Sequence, residues 1–334
     1  MSFSGRERAV IIAIPVILAL QYAVNLWLLS ATRLGMPSLT RVIAPFLGFF
    51  LYALIGIAIR FGYHAFRRDL SAFWAFLRNP AWIAITLYLV AVTAFLSYLY
   101  GCLKISVHVL RKTRFDELLW ELDRLLMFGI SPNIFFVELF SNRVAFRIVD
   151  FLYAAGFLYT LSFSFWLIYA WPSNRLRLRY LVGSVVLWLT GAWLYYAVPS
   201  LGPAYAYYQV WEAASGGLPT TVMIQRVLFE NHMRVLQMAE GARNVGVNVN
   251  MGIAAFPSMH VAFHVFFALW LARLIPAMRW FGWFMVFVIA VGSVVTGWHY
   301  LIDSFAGALL AWGAFRIADL ILPEESAQSS EERR

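Results

Sequence analysis

Phe256-Pro257-Ser258-Met259-His260-Val261-Ala262-Phe263-His264 opens an apolar run that continues to about residue 275, and its reading decides the fold. A run of that length can cross a bilayer, so His260 falls at the head of a membrane helix, at the depth of the lipid headgroups. Pro257 suits the opening turn of such a helix. The unpaired N–H groups of that turn, with the hydroxyl of Ser258, can hold a phosphate, and the same hydroxyl can equally do no more than cap the helix. Further on, Gly297-Trp298-His299-Tyr300-Leu301-Ile302-Asp303 opens a second apolar run. His299 and Asp303 are four residues apart, which on a helix places them on one face. A carboxylate there can hold one imidazole nitrogen and leave the other free to attack.

The rest of the chain is of one kind. It is 62% hydrophobic and 13% charged with a mean hydropathy of +0.72, far above the roughly half-apolar make-up of soluble domains, so it reads as an integral membrane protein. Its net charge of +9 comes mostly from arginines between apolar runs. In those positions they act as topology signals and headgroup contacts, and no basic motif suggests nucleic acid. The single cysteine, Cys102, sits inside an apolar run and reads as a small core residue.

Spans are expected at about 9–31, 42–60, 81–103, 148–170, 179–198, 257–275, 280–297 and 299–322, about eight transmembrane helices in an all-α polytopic bundle. The first run is longer than the ~7–15 apolar residues of a cleaved signal peptide and leads to Thr32-Arg33 rather than a small-residue cleavage site, so it reads as a retained helix. Arg60, Arg67, Arg68, Arg78, Arg175, Arg177, Arg179, Arg273 and Arg279 then fall on the cytoplasmic side, against Arg33 and Arg41 opposite. Both termini are cytoplasmic in this reading. His260, His299 and Asp303 emerge on the outer face. The stretch 104–147 carries Arg111, Lys112 and Arg114 on that outer side, and long loops follow the charge rule poorly.

Two loops have patterns of their own. Residues 115–126 place apolar side chains at helical spacing opposite a charged face, so an interfacial helix is expected within about 115–142, its acids forming a solvated face. A second helix is expected over about 220–240, capped by Thr220 or Thr221 and closed by Gly241, with Arg226, Glu230 and Arg234 spaced for pairing and His232 as an exposed bystander. His64 and His108 read as packing residues. His264 raises a metal pair with His260, but no His-Glu-x-x-His pattern supports zinc. Residues 323–334 are polar and expected to be disordered.

Pro257-Ser258-Met259-His260 and, after two spans, His299-Tyr300-Leu301-Ile302-Asp303 resemble the second and third signature motifs of the type 2 phosphatidic acid phosphatase (PAP2) superfamily. The stretch Tyr195-Tyr196-Ala197-Val198-Pro199-Ser200-Leu201-Gly202-Pro203-Ala204-Tyr205 is similar to the first-motif region of its inositol phosphorylceramide synthase branch, and Asp116, Glu117 and Asp123 resemble the acidic segment before that branch's core helix. The resemblance spans about residues 104–322. It implies a six-helix catalytic core over 81–322, with residues 1–80 supplying two additional helices. It also implies that His299 is the nucleophile that becomes a phosphohistidine, that Asp303 orients it and that His260 protonates the departing oxygen, with no metal or other cofactor. Ser258, Tyr205, Gly202 and Arg243 are expected around the phosphate, with Tyr205 equally suited to the aromatic belt and Gly202 to a helix break at the membrane surface.

The departures bear on the reaction. No lysine and no Arg-Pro pair precede Pro203 as in the phosphatase first motif; Gly292-Ser293 stands where the third motif usually has Ser-Arg; and Met259 replaces the second motif's glycine. Something else must balance the phosphoryl charge, and Arg226, Arg234, Arg243, Lys104 and Arg111 are the candidates. The pattern resembles the lipid phosphotransferase branch. It implies transfer of a phosphoryl or phospho-headgroup between a membrane lipid and an alcohol, on the periplasmic face of a bacterial inner membrane, without a protein partner. A phosphatase acting on phosphatidate or a polyprenyl (pyro)phosphate, with water as acceptor, is the second reading, and a non-enzymatic lipid transporter the third.

Overall fold

The computed structural model describes residues 3–212, 214–242 and 246–323, and among these the chain is helical throughout, with no strand. In chain order the helices are α1 (Gly5–Ser30), α2 (Ile43–Phe66), α3 (Leu70–Leu77), α4 (Pro80–Leu110), α5 (Asp116–Leu126), α6 (Pro132–Leu139), α7 (Arg143–Tyr169), α8 (Asn174–Ala197), α9 (Pro203–Ala206), α10 (Gln209–Glu212), α11 (Pro219–Glu240), α12 (Met259–Leu274), α13 (Arg279–Val295) and α14 (Leu301–Ile321). Seven of the described helical segments are long and apolar enough to cross a membrane. The segment expected at 257–275 is the 16-residue helix α12, about 24 Å long, which is short for a span yet runs from one end of the bundle to the other.

Several helices outrun their hydropathy. α4 continues to Leu110, α7 begins at Arg143 and α8 at Asn174, so Lys104 and His108 lie on a helix and not in the loop expected from residue 104. Charges end an apolar run, but they do not end a helix: long cationic side chains reach the headgroup layer while the backbone keeps its own hydrogen bonds.

The two ends of the bundle differ in chemistry. At one end Arg273 grips the Asp319 carboxylate through both oxygens at 2.6 and 2.8 Å, and Arg179 joins it. Here too Arg60 donates to the Ala170 carbonyl and Arg175 to that of Pro323. Arg177 and Arg179, expected as loop charges, are buried; Arg177 stacks on Trp82 and bonds the Asn174 side chain at 3.0 Å. The burial of Arg177 is offset by bonds from its two terminal nitrogens to the Trp82 carbonyl, the Asn174 side chain and the Thr86 hydroxyl. The chain's first described residues and Pro323 meet at this end, through the 3.6 Å pair of Glu7 with Arg175.

The opposite end gathers α5, α6, α9, α10, α11 and the segment 246–258. α12 packs between α13 and α14, α14 lies against α8, and α8 against α4, while α1 rests on α4 and α8 and α2 on α4 and α7. The expected interfacial segment at 115–142 is two short helices, α5 and α6. α11 matches its expected extent and ends on Gly241 in the left-handed conformation, and Arg226 and Arg234 both reach Glu230. Its start differs: Leu218 is the cap residue, and the Asp150 carboxylate of α7 accepts the N–H groups of Thr220 and Thr221, each at 2.8 Å. His232 is buried against His108, not exposed, and burial lowers its pKa to about 4. The expected tail lies, from residue 324, outside the described residues.

Candidate active site

Two helix heads, far apart in the chain, meet at this end. The N–H of Ser258, the cap residue of α12, donates to the Asp303 carbonyl in the first turn of α14 at 3.0 Å. One turn further along α14 is Gly307, where a Cβ would collide with the Ser258 carbonyl. The two helices can approach this closely only with glycine at that position.

The approach brings three side chains together. His260 Nδ1 lies 3.0 Å from His299 Nε2, and His299 Nδ1 lies 3.4 Å from Asp303 Oδ2. Asp303 Oδ2 also accepts the Tyr300 N–H at 3.0 Å. A carboxylate that accepts there holds a proton on His299 Nδ1. His299 Nε2 then carries the lone pair, and the proton shared with His260 belongs to His260 Nδ1. The carboxylate thus sets the imidazole tautomer, an unprotonated nitrogen points outward from it, and an N–H of His260 faces that nitrogen. Phe157 of α7 packs edge-on to His260 with ring centroids 4.7 Å apart. The two rings touch, so a phosphorus atom entering between them must part them.

The turn that carries His299 is braced on every side. Ser293 offers its carbonyl to the N–H groups of Trp298 and His299 at 3.0 and 3.2 Å. Buried Asn133 on α6 donates to the carbonyls of Val294 and His299, the Trp211 indole of α10 to that of Val295, and Gln225 of α11 to that of Thr296. From α5, Asp123 accepts the N–H groups of Leu301 and Ile302 at 2.6 and 2.8 Å, while Asp116 accepts those of Leu201 and Gly202 and the Tyr300 hydroxyl. Both carboxylates are buried. The expected solvated acidic face of α5 is therefore only Glu117 and Glu121; the other two acids turn inward because the loops above them present unpaired N–H groups.

The residues expected around the phosphate are placed differently from one another. Ser258 is buried, its Oγ accepts the Val261 N–H at 3.3 Å, and its own O–H has no protein acceptor among the described residues. Gly202 has φ of +99°, and a Cβ on it would lie 2.7 Å from the Trp298 carbonyl, so glycine is needed for the first-motif loop to seat on the His299 turn; its N–H is taken by Asp116. Tyr205 gives its hydroxyl to the Gln225 carbonyl and stacks on Phe229. Arg243 lies outside the described residues. Arg226 and Arg234 are exposed on α11 and paired with Glu230, and Arg111 is exposed. Lys104 is different. Its ammonium lies 5.5 Å from the centre of the Tyr195 ring, has no carboxylate partner among the described residues, and is within electrostatic reach of both His260 and His299.

Both ring nitrogens of His264 are engaged by protein groups, the Thr160 hydroxyl and the His260 carbonyl, each at 2.7 Å. Asn133, Trp211 and Gln225 carried no signal in the sequence: a lone amide or indole on a helix has no spacing that marks it as a brace.

Residues 117–317, well over half of the chain, match the family model described as PAP2 superfamily. No curated protein matches the chain, and no solved structure does.

Proposed function

This chain belongs to the PAP2 superfamily, and from that premise we propose that it is an integral membrane lipid phosphotransferase working through a phosphohistidine on His299. The observation that carries the reading is the line Asp303 Oδ2, His299 Nδ1, His299 Nε2, His260 Nδ1, with contacts of 3.4 and 3.0 Å at its two joints. In the first half-reaction His299 Nε2 bonds to phosphorus, the bond from phosphorus to the leaving oxygen breaks, and His260 gives that oxygen its proton. In the second, an alcohol oxygen attacks phosphorus, the bond to His299 breaks and His260 takes the alcohol's proton. Asp303 stabilises the imidazolium character that His299 acquires in each step.

Transfer is favoured over hydrolysis by the first motif, which lacks the basic residues of the phosphatase pattern before Pro203. Water can use the same geometry, so a phosphatase acting on phosphatidate or a polyprenyl (pyro)phosphate is the second reading. The arginine-rich opposite end of the bundle supports a site on the outer, periplasmic face of a bacterial inner membrane. Incubating the purified protein with radiolabelled lipid phosphates, with and without alcohol acceptors, and separating the products decides the reaction. A new phosphate ester of the acceptor is expected, a monoester from a monoester donor and a diester from a diester donor; release of inorganic phosphate at a rate indifferent to every acceptor would reject transfer.

Lys104 supplies the cation that the motifs lack. In phosphoryl transfer, fixed positive charge on the equatorial oxygens provides much of the stabilisation, and removing one such donor costs about 10²-fold. Lys104→Gln is therefore expected to lower kcat/KM by about 10²-fold, measured as initial rates on the labelled lipid; a value within twofold of the parent protein would remove Lys104 from the phosphate site.

A further inference from the structure

We propose that Asp123, on α5, is a positioning residue that keeps the Asp303 carboxylate on His299 by capping the head of α14 from a separate helix. The proposal rests on the phosphohistidine reading of the site. The first N–H groups of a helix have no carbonyl within it to accept them, and a Ser, Thr, Asp or Asn at the cap position ordinarily takes one. Here the cap residue is Tyr300, whose hydroxyl goes instead to Asp116 at 2.9 Å. The nearest acid in the helix itself is Asp303, at the third helical position, where a carboxylate ordinarily reaches back to the unpaired N–H groups. It already accepts the Tyr300 N–H.

Leu301 and Ile302 would compete for the same carboxylate and draw it from the imidazole. They do not, because Asp123 Oδ2 accepts the Leu301 N–H at 2.6 Å and Asp123 Oδ1 the Ile302 N–H at 2.8 Å. Two carboxylates thus divide three N–H groups, and the division leaves Asp303 Oδ2 facing His299 Nδ1. α5 can hold this position because its far side carries Leu118, Leu122 and Leu125, exposed from the protein and suited to the bilayer interface, while Asp116 and Asp123 face inward.

Charge completes the argument. Burial pushes the Asp123 carboxyl up to about 6, the two N–H donors opposing that rise and Asp303 on α14 adding to it; along α5, Asp116 is the other inward acid. Above about pH 6 both Asp123 oxygens accept. Below it a proton occupies one of them and an N–H is released to compete for Asp303.

The test is Asp123→Asn, which keeps the shape but turns an NH2 group toward one of the two donors, beside Glu121→Gln, the same loss of charge on the exposed face of α5. Rates are normalised to the folded fraction in detergent. Asp123→Asn is expected to lower kcat by roughly 10 to 100-fold with KM changed by less than about threefold, as for loss of an outer partner that orients a reactive imidazole. It should also lose that part of the acid limb of kcat near pH 6 which the parent protein shows, while Glu121→Gln behaves as the parent. If Asp123→Asn does not accumulate, Asp123→Glu keeps the charge on a longer arm and is expected to lose roughly 3 to 10-fold in kcat. An Asp123 variant with the parent's kcat and acid limb, or one whose loss follows only the folded fraction, overturns the proposal. A His299→Ala control separates the two claims: if it is inactive while Asp123→Asn is normal, only the positioning role falls, whereas an active His299→Ala protein removes the reading beneath it.

Discussion

His299→Ala is expected to end turnover, with a loss of about 10⁴-fold or more, because the nitrogen that would hold the phosphoryl group is gone and neither water nor His260 can take its place. The fold should survive the change. The bonds that fix this turn are made by the backbone of residue 299, whose N–H goes to Ser293 and whose carbonyl accepts from Asn133, and alanine keeps both. The side chain contributes contacts to His260 and Asp303, so the expected destabilisation is about 1–2 kcal/mol. Two measurements check this together: thermal unfolding in detergent, and labelling with a ³²P-lipid followed by an alkaline denaturing quench. The parent protein should carry an acid-labile, base-stable label, and the variant none. A labelled, active variant would place the covalent step elsewhere.

His260→Ala should show a different pattern, and the difference is the stronger test of the paired assignment. A general acid contributes about 10²–10⁴-fold, and that is the expected loss on a lipid ester whose leaving alkoxide needs a proton. An aryl phosphate, whose leaving group is stable as an anion, does not need that proton. With it the first half-reaction of His260→Ala should recover to within roughly tenfold of the parent, while the second, which needs a base for the acceptor, stays slow. The variant should therefore accumulate the phosphoenzyme. Equal losses on both substrates, with no accumulated label, would show that His260 does not act on the leaving group. The direct 3.0 Å contact of the two rings fits a proton held ready on His260.

Much of the fold could be read along the chain because a bilayer imposes a simple rule: each crossing needs a long apolar stretch with its hydrogen bonds closed internally. Hydropathy therefore located the spans but misplaced their ends, as α4 illustrates by running through Lys104 to Leu110, seven residues beyond its expected end near residue 103. The pairing of His299 with Asp303 was legible for an equally local reason, since four residues on a helix is a fixed geometry. The acids of α5 were not. Their spacing gave the charged face of an amphipathic helix, and whether that face meets water or unpaired N–H groups depends on what lies above it. His232 failed in the same way: a histidine on a polar helix looks exposed until His108 is found against it.

Taken alone, the amino-acid sequence determined the helical class, the approximate crossings, and the two helix heads that carry His260, His299 and Asp303, because these follow from periodicity and from bonds between near neighbours. The tertiary structure decided which nitrogen of His260 meets which nitrogen of His299, and that Asp116, Asp123 and Asp150 cap loops and helices of other parts of the chain. Those relations join residues from tens to nearly two hundred positions apart. They depend on how closely α12 can approach α14, which Gly307 sets, and no local pattern records that distance.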